Sequence, residues 1–241
     1  VPYRKGYNLL PGLEKLKLPI FEVNERERFI SLKKEEILKQ ECFFESEMES
    51  NIYDIVCDFI ISNYPIKISG TFSELALQMR EDLVIHRISS EKDWLASGHI
   101  CFPSGWDPAL KIGRSFLEIH RPIPGMRLSN SRKLVEAMVY SPPFERYVWG
   151  LIFEDRVSGH PNYVKKSFDP DFPKLWVKYE RQVVVGFPDI LSSLFSICQY
   201  LIPEDQIDKS ALRASLELMT IDQRVYKGLN NNFEELLLYL G

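Results

Sequence analysis

Residues 83–102 read LVIHRISSEKDWLASGHICF, and this stretch decides the fold. Val, Ile, Trp and Phe crowd its two ends, while Ser89, Ser90, Glu91 and Lys92 between them carry turn chemistry. That pattern predicts two strands, Leu83–Ile88 and Trp94–Phe102, joined by a tight connection. Glu81 and Asp82 stand side by side at the entrance. On an extended chain neighbouring side chains point to opposite faces, which argues against a paired-carboxylate mechanism.

Upstream of this stretch the sequence has helical periods. Residues 1–24 are punctuated by Pro and Gly and are expected to wrap the surface, as part of an N-terminal extension over residues 1–45. A charged helix is expected over Glu25–Gln40, broken near Ser31. Ser46–Asn63 is the clearest helix: Ser46 and Glu49 have capping-box spacing, Met48, Ile52, Ile55, Val56 and Phe59 recur on one face, and Pro65 stops it. Thr71 and Glu74 repeat the capping pattern ahead of a shorter helix.

Downstream, Asp107-Pro108 predicts a short helix that ends by Gly113. Ser131–Tyr140 is amphipathic. Tyr147–Phe153 and Leu175–Val185 read as strands, and Leu191–Ile202 fits either a buried strand or a helix. Two helices are expected near Lys209–Met219 and Phe233–Leu240, within a C-terminal helical segment over residues 203–241. Strands gather in the middle and helices at the ends. The expectation is a single α+β domain over 1–241 with a mainly antiparallel sheet.

The 241 residues are 45% hydrophobic and 27% charged, with a net charge of −4. No run of five or six Lys and Arg occurs, so nucleic acid and anionic membrane are poor partners. No apolar run reaches membrane-spanning length, and no signal-peptide pattern opens the sequence. Cys42, Cys57, Cys101 and Cys198 are widely spaced and fit free thiols in a reducing compartment, with the cytoplasm as the expected location. His99 and Cys101 would share a strand face, but no second Cys/His pair completes a zinc site. Nucleotide-binding loops, hydrolase elbows and zinc-protease motifs are absent from the sequence.

The segment from Cys101 to Gly125, CFPSGW followed by KIGRSFLEIHRPIPG, is the candidate functional centre. Read as extended, Phe116–His120 would put Phe116, Glu118 and His120 on one face, before a loop stiffened by Pro122 and Pro124 that turns at Gly125. A histidine so held suits metal ligation or proton transfer. Lys111, Arg114 and Arg121 supply positive charge for an anionic ligand, such as the carboxylates of a cofactor. His160 sits in a Gly-Pro loop, where functional groups concentrate. His86 and His99 read as ordinary sheet histidines. Arg146 and Trp149 either line the same cavity as His160 or pack the sheet. Glu180, Arg181 and Gln182 interrupt an apolar strand; buried charges require partners, so these either make an internal network or line a wet pocket.

These blocks together resemble the haem-dependent oxidative N-demethylase alpha-subunit-like family. The match runs through RED-L at Arg80–Leu83, WLASG and FPSGW between Trp94 and Trp106, K-x-G at Lys111–Gly113 and IHRPIPG at Ile119–Gly125. It continues through R-x-x-W at Arg146–Trp149, ERQ at Glu180–Gln182 and YKGL at Tyr226–Leu229. The resemblance implies a PAS-like sheet holding a b-type haem, with electrons from a partner reductase that carries flavin and an iron–sulfur cluster. A small methylated amine would be oxidised and formaldehyde released. It implies His120 as axial ligand of the haem iron, with His160 the alternative. Lys111, Arg146 and Arg181 would face the haem propionates, and Trp149 would be a further cofactor contact.

Three positions depart from the family pattern. Val148 replaces the amide of Arg-x-Asn-Trp, Gly186 the arginine of Arg-Leu-Pro, and Cys198 the arginine of Ile-Arg-Thr-Tyr. Polar or cationic groups have become neutral or apolar at all three. Two further readings therefore stand beside the enzyme: a non-catalytic PAS-like module that binds or senses haem or another small ligand, and a structural subunit with a vestigial pocket.

Overall fold

The computed structural model of the chain describes residues 1–7, 12–125 and 130–241. Residues 8–11, part of the expected N-terminal wrap, lie outside the described residues. The strands are β1 (Glu14–Lys15), β2 (Phe43–Glu45), β3 (Asp82–Ile88), β4 (Asp93–His99), β5 (Phe144–Ile152), β6 (Trp176–Phe187) and β7 (Ser192–Pro203). They form one antiparallel sheet in the order β1-β5-β6-β7-β3-β4-β2. The helices are α1 (Arg26–Ile37), α2 (Ser50–Asn63), α3 (Phe72–Leu77), α4 (Phe116–His120), α5 (Ser131–Tyr140), α6 (Lys209–Glu217), α7 (Ile221–Lys227) and α8 (Phe233–Tyr239). The α+β class and the antiparallel sheet expected from the sequence are both present.

The segment that fitted either helix or strand is β7. Its twelve residues pair along the whole of β6, from Trp176↔Pro203 to Phe187↔Ser192. Ladder hydrogen bonds to a long neighbour override an ambiguous local pattern. Other boundaries moved for local reasons. The capping box expected at Ser46 and Glu49 does not form: Ser46 instead extends the pairing beyond β2, donating its amide to the Ala96 carbonyl, and α2 begins at Ser50 with Glu49 at the N-cap. Helix α1 is unbroken at Ser31, whose hydroxyl bonds back to the Glu27 carbonyl at 3.0 Å. Thr71 and Glu74 do close the expected capping box on α3.

Alternation along the strands sorts the side chains onto two faces. The back face carries Tyr147 and Trp149 of β5, Tyr179 and Arg181 of β6, Cys198 and Tyr200 of β7, and Leu83 and Ile85 of β3. Helices α2 and α3 cover one end of it through Ile52, Val56, Ile60 and Leu75. Helices α6 and α8 cover the other, with Leu212, Leu216, Phe233 and Leu236 packed around Trp149, Leu151 and Val177. The N-terminal segment does more than wrap the surface: Tyr3, Phe21 and Phe29 are each almost fully buried.

The front face carries Arg146, Val148 and Gly150 of β5, Lys178, Glu180 and Gln182 of β6, Phe195, Ile197 and Gln199 of β7, and Asp82, Val84 and His86 of β3. Helix α5 covers one end, laying Val135, Met138 and Val139 on Val184 and Ile88. A strap formed by residues 100–106 covers the other.

Glu81 and Asp82 do part to opposite faces, and each does structural work. Both are buried. The Glu81 carboxylate accepts the Glu22 amide at 2.6 Å, while Asp82 accepts the amides of Cys101 and Phe102 at 3.1 and 2.8 Å and pins the strap. Burial pushes the Glu81 carboxyl up to about 7, against the opposing amide bonds. The fold therefore favours protonated Glu81, a contribution present below about pH 4.5 and lost as pH rises through about 7. Glu81→Gln is expected to gain on the wild type over that interval by on the order of 2–3 kcal/mol, read from urea unfolding at pH 4.5 and 7.5. An unchanged difference between the two pH values would refute the assignment.

Candidate functional site

The strap explains why FPSGW holds together as a block. The Phe102 carbonyl accepts Gln199 Nε2 at 3.1 Å and Lys178 Nζ at 3.4 Å, which fastens it to β6 and β7. Pro103 and Gly105 exchange backbone hydrogen bonds with Gly159, at 2.8 and 3.0 Å. A Cβ on Gly159 would approach the Pro103 carbonyl oxygen to 3.0 Å, so this contact favours glycine. Ser104 donates its hydroxyl to Glu180. The VSGHPNY loop is thus the outer clamp on the strap.

Phe116–His120, expected to be extended, is one turn of helix, α4. The signal was present at Ser115 and Glu118, three residues apart. The Ser115 hydroxyl accepts the Glu118 amide at 3.3 Å, and the Glu118 carboxylate accepts the Ser115 amide at 2.9 Å, closing a capping box. The helix start is tied to the sheet through Asp93, whose carboxylate accepts the Phe116 amide at 2.6 Å and lies 2.8 Å from His86 Nε2. Burial would raise the Asp93 carboxyl, but the bonds from His86 and Phe116 hold it below its ordinary value.

The helical turn sets the chemistry of His120. Its ring stacks on Phe116 at 3.9 Å, and its Nδ1 lies 2.9 Å from the Phe116 carbonyl oxygen. A carbonyl can only accept, so Nδ1 carries the proton. Burial, with Arg146, His86 and Lys111 adding to it, pushes the His120 pKa down to about 4. The ring is therefore neutral at pH 7, and the lone pair lies on Nε2, which has no hydrogen-bond partner among the described residues. A neutral imidazole oriented by a backbone carbonyl on its other nitrogen can donate its free lone pair to a metal or accept a proton.

Beside His120 the cover of the front face is incomplete. Arg146, Gln182 and Ile197 are cross-strand neighbours on β5, β6 and β7, and all three stay half-buried in the middle of the sheet, as do Val148 and Phe195. Trp106, Ile112 and Ile119, like Phe195 and Ile197, pack against the small core of Val84, Leu95 and Ile100. The result is a cleft with an apolar floor, one imidazole at its roof and Arg146 on its floor. Two depressions of about 610 and 370 Å³ lie elsewhere, at the Trp176–Pro203 end of the sheet and between α1 and residues 155–158; His120 lines neither. In the larger one Glu154 and Glu204 are paired with Arg156 and Lys209.

The structure brings His120, Lys111 and Arg146 together and separates the other candidates from them. His160 is buried outside this group: its Nδ1 accepts the Asn162 amide at 3.2 Å and its Nε2 faces Asp107 at 3.6 Å. Trp149 is an odd number of residues from Arg146 and therefore lies on the back face, edge-on to Tyr3 and Tyr7. Arg181 also lies on the back face, in an ion pair with Glu145. Of the departures from the family pattern, only Val148 faces the cleft. Cys198 is on the back face, and Gly186 lies under α5, where a Cβ would meet the Val139 carbonyl oxygen at 2.1 Å. One residue of the cleft was passed over in the sequence, Lys227, although it lies inside a quoted motif. Lys227 was hidden because α7 was not expected, although Thr220 and Gln223 form its capping box and Gly228 ends it in the left-handed conformation.

The fold and this cleft define the class: an α+β protein whose antiparallel sheet is roofed at both ends of one face and open between. A family model described as haem-dependent oxidative N-demethylase, alpha subunit-like, matches residues 67–237, from just before α3 into α8. The chain belongs to that family. No curated protein matches it. Among the described residues no cluster of three or more His, Cys, Asp or Glu is arranged to hold a metal ion, and no helix is long and apolar enough to cross a membrane. The four cysteines are free and buried.

Proposed function

We propose that the chain is the haem-binding oxygenase subunit of an oxidative N-demethylase that acts on a small methylated amine, with electrons from a separate flavin and iron–sulfur reductase. The observation that carries this reading is His120: neutral, with its Nδ1–H committed to Phe116 and Nε2 left without a protein partner beside an apolar cleft. His120 would be the axial ligand, with Arg146 and Lys111 near the carboxylates of a b-type haem. Bound haem would supply oxygen activation, leading to oxidation of a methyl carbon and loss of formaldehyde. The chain's own part is to fix the imidazole, to line the cleft with Val148, Phe195 and Ile197, and to control access.

A PAS-like assignment is supported by the five long strands, which numbered in chain order run 2-1-5-4-3 across the sheet, with α4 and α5 inserted between the second and third. A single domain is supported by the contribution of residues 1–45 to both sheet edges and to the core. The buried free thiols support a cytoplasmic setting. One observation favours a second reading: Val148 puts a methyl-bearing side chain on the cleft floor where the family carries an amide, which suits a binding or sensing module.

The test is to express the protein with haem supplied and record its visible spectrum, then repeat with His120→Ala and His160→Ala. Stoichiometric haem in the wild type and in His160→Ala, with the ligand band lost in His120→Ala, is expected. An empty wild type, or loss confined to His160→Ala, overturns the proposal. Formaldehyde from dimethylamine, oxygen and a competent reductase then separates the enzyme from the sensing module.

A further inference from the structure

Helix α7 brings a second cation to the cleft. A Cβ on Gly150, on the front face of β5, would lie 3.7 Å from Lys227 Nζ, so this amine sits over the strand that carries Arg146 and Val148. Among the described residues neither Arg146 nor Lys227 forms an ion pair, and Arg146 Nε is buried without a partner. The nearby acid does not serve them: Glu180 receives Ser104 and, at 2.7 Å, Gln182. The fully buried amines differ from Lys227 in having partners: Lys178 has the Val157 carbonyl at 2.6 Å and the Phe102 carbonyl at 3.4 Å, and Lys33 has the Ala76 carbonyl at 2.9 Å and Asp82 at 3.5 Å. Burial pulls Lys227 down to about 8; Glu180 opposes this, while Lys165, Arg146 and Lys178 add to it. Arg146 is lowered too, again by burial.

Cations held partly out of water are costly unless something anionic completes them, and both Arg146 and Lys227 are half-buried. Here two stand along one strand of the cleft wall with Val148 between them, and Glu180, whose charge reaches both, is bonded to neither. We propose that Arg146 and Lys227 together form a carboxylate-anchoring site at the β5 edge of the cleft, with Lys227 in the place that Arg181, on the other face, cannot fill. Resting on the haem reading, the carboxylates are the two propionates of the porphyrin. A substrate carboxylate has the same chemistry and is the alternative source.

Metal-free protoporphyrin IX carries both propionates but asks nothing of His120, so it tests this site apart from iron ligation. Its binding is followed by quenching of tryptophan fluorescence in the wild type, Lys227→Gln, Lys227→Arg and Arg146→Gln, with the dimethyl ester as the uncharged control. Circular dichroism confirms that each variant is folded. Expected is a loss of about tenfold or more with Lys227→Gln and with Arg146→Gln, recovery in Lys227→Arg, and ester binding that none of the variants changes. Equal protoporphyrin binding by wild type and Lys227→Gln overturns the inference, as does a wild type that prefers the ester. A protein that binds protoporphyrin in this pattern but leaves haem iron without a histidine ligand would refute the axial role of His120 and leave the cation pair standing.

Discussion

Gly186→Ala is expected to lower stability by at least about 3 kcal/mol, or roughly 6–12 °C in Tm for a chain of this size. The cause is backbone against backbone. The last turn of α5 rests directly on β6, so a Cβ at position 186 would lie 2.1 Å from the Val139 carbonyl oxygen, 2.6 Å from its carbonyl carbon and 2.8 Å from the Met138 oxygen. No rotamer change relieves such a contact, and either α5 lifts from Val184 or β6 bends. Gly150 is the internal control. It lies on the same face of the neighbouring strand, but its added Cβ would meet only the Lys227 side chain at 3.7 Å, an ordinary contact. Gly150→Ala should therefore stay within about 1 kcal/mol of wild type, with a gain from the less flexible unfolded chain. Urea titrations of the two variants side by side make the comparison, and similar midpoints would sink it.

That contact also shows what the sequence left unread. The loss of an arginine at 186 looked like damage to a pocket, because a motif aligns positions without saying which face they occupy. Strand parity decides it: Val148 and Gly186 share the front face, but α5 covers only Gly186, while Cys198 points the other way. The class, the antiparallel sheet and most helices were legible because apolar period and turn chemistry are local. The cleft was legible only in part. His120 and Arg146 stood out as types, yet the role of His120 depends on a capping box at Ser115 and Glu118 that turns an apparent strand into a helix and brings Nδ1 to the Phe116 carbonyl. Lys227 lies 81 positions after Arg146 in the sequence, and only the path of α7 over Gly150 makes them neighbours. Such contacts are tertiary, and no local pattern encodes them.

Arg181 provides the other large effect and separates a structural cation from a ligand-binding one. Its guanidinium and the Glu145 carboxylate are both almost wholly buried on the back face. They meet at 2.8 Å, Glu22 stands at 3.4 Å, and the Leu18 carbonyl accepts at 3.4 Å. Arg181→Ala leaves Glu145 buried without a counter-charge and Glu22 with only the Tyr200 hydroxyl, which is expected to cost about 3–5 kcal/mol. Arg181→Lys should recover only part of this, since an ammonium cannot make the forked contact. Most tellingly, Arg181→Met combined with Glu145→Leu should return near wild-type stability, because removing both charges removes the desolvation penalty as well as the attraction. Urea unfolding of the single and double variants reads all three. The same proteins answer the functional question. If Arg181 faced a propionate, the stable double variant would lose porphyrin affinity; on the back face, with the sheet between it and His120, it should bind porphyrin as the wild type does. Lost affinity in a stable double variant would place the ligand's carboxylate at Arg181 after all, and Lys227 would then have no part in anchoring it.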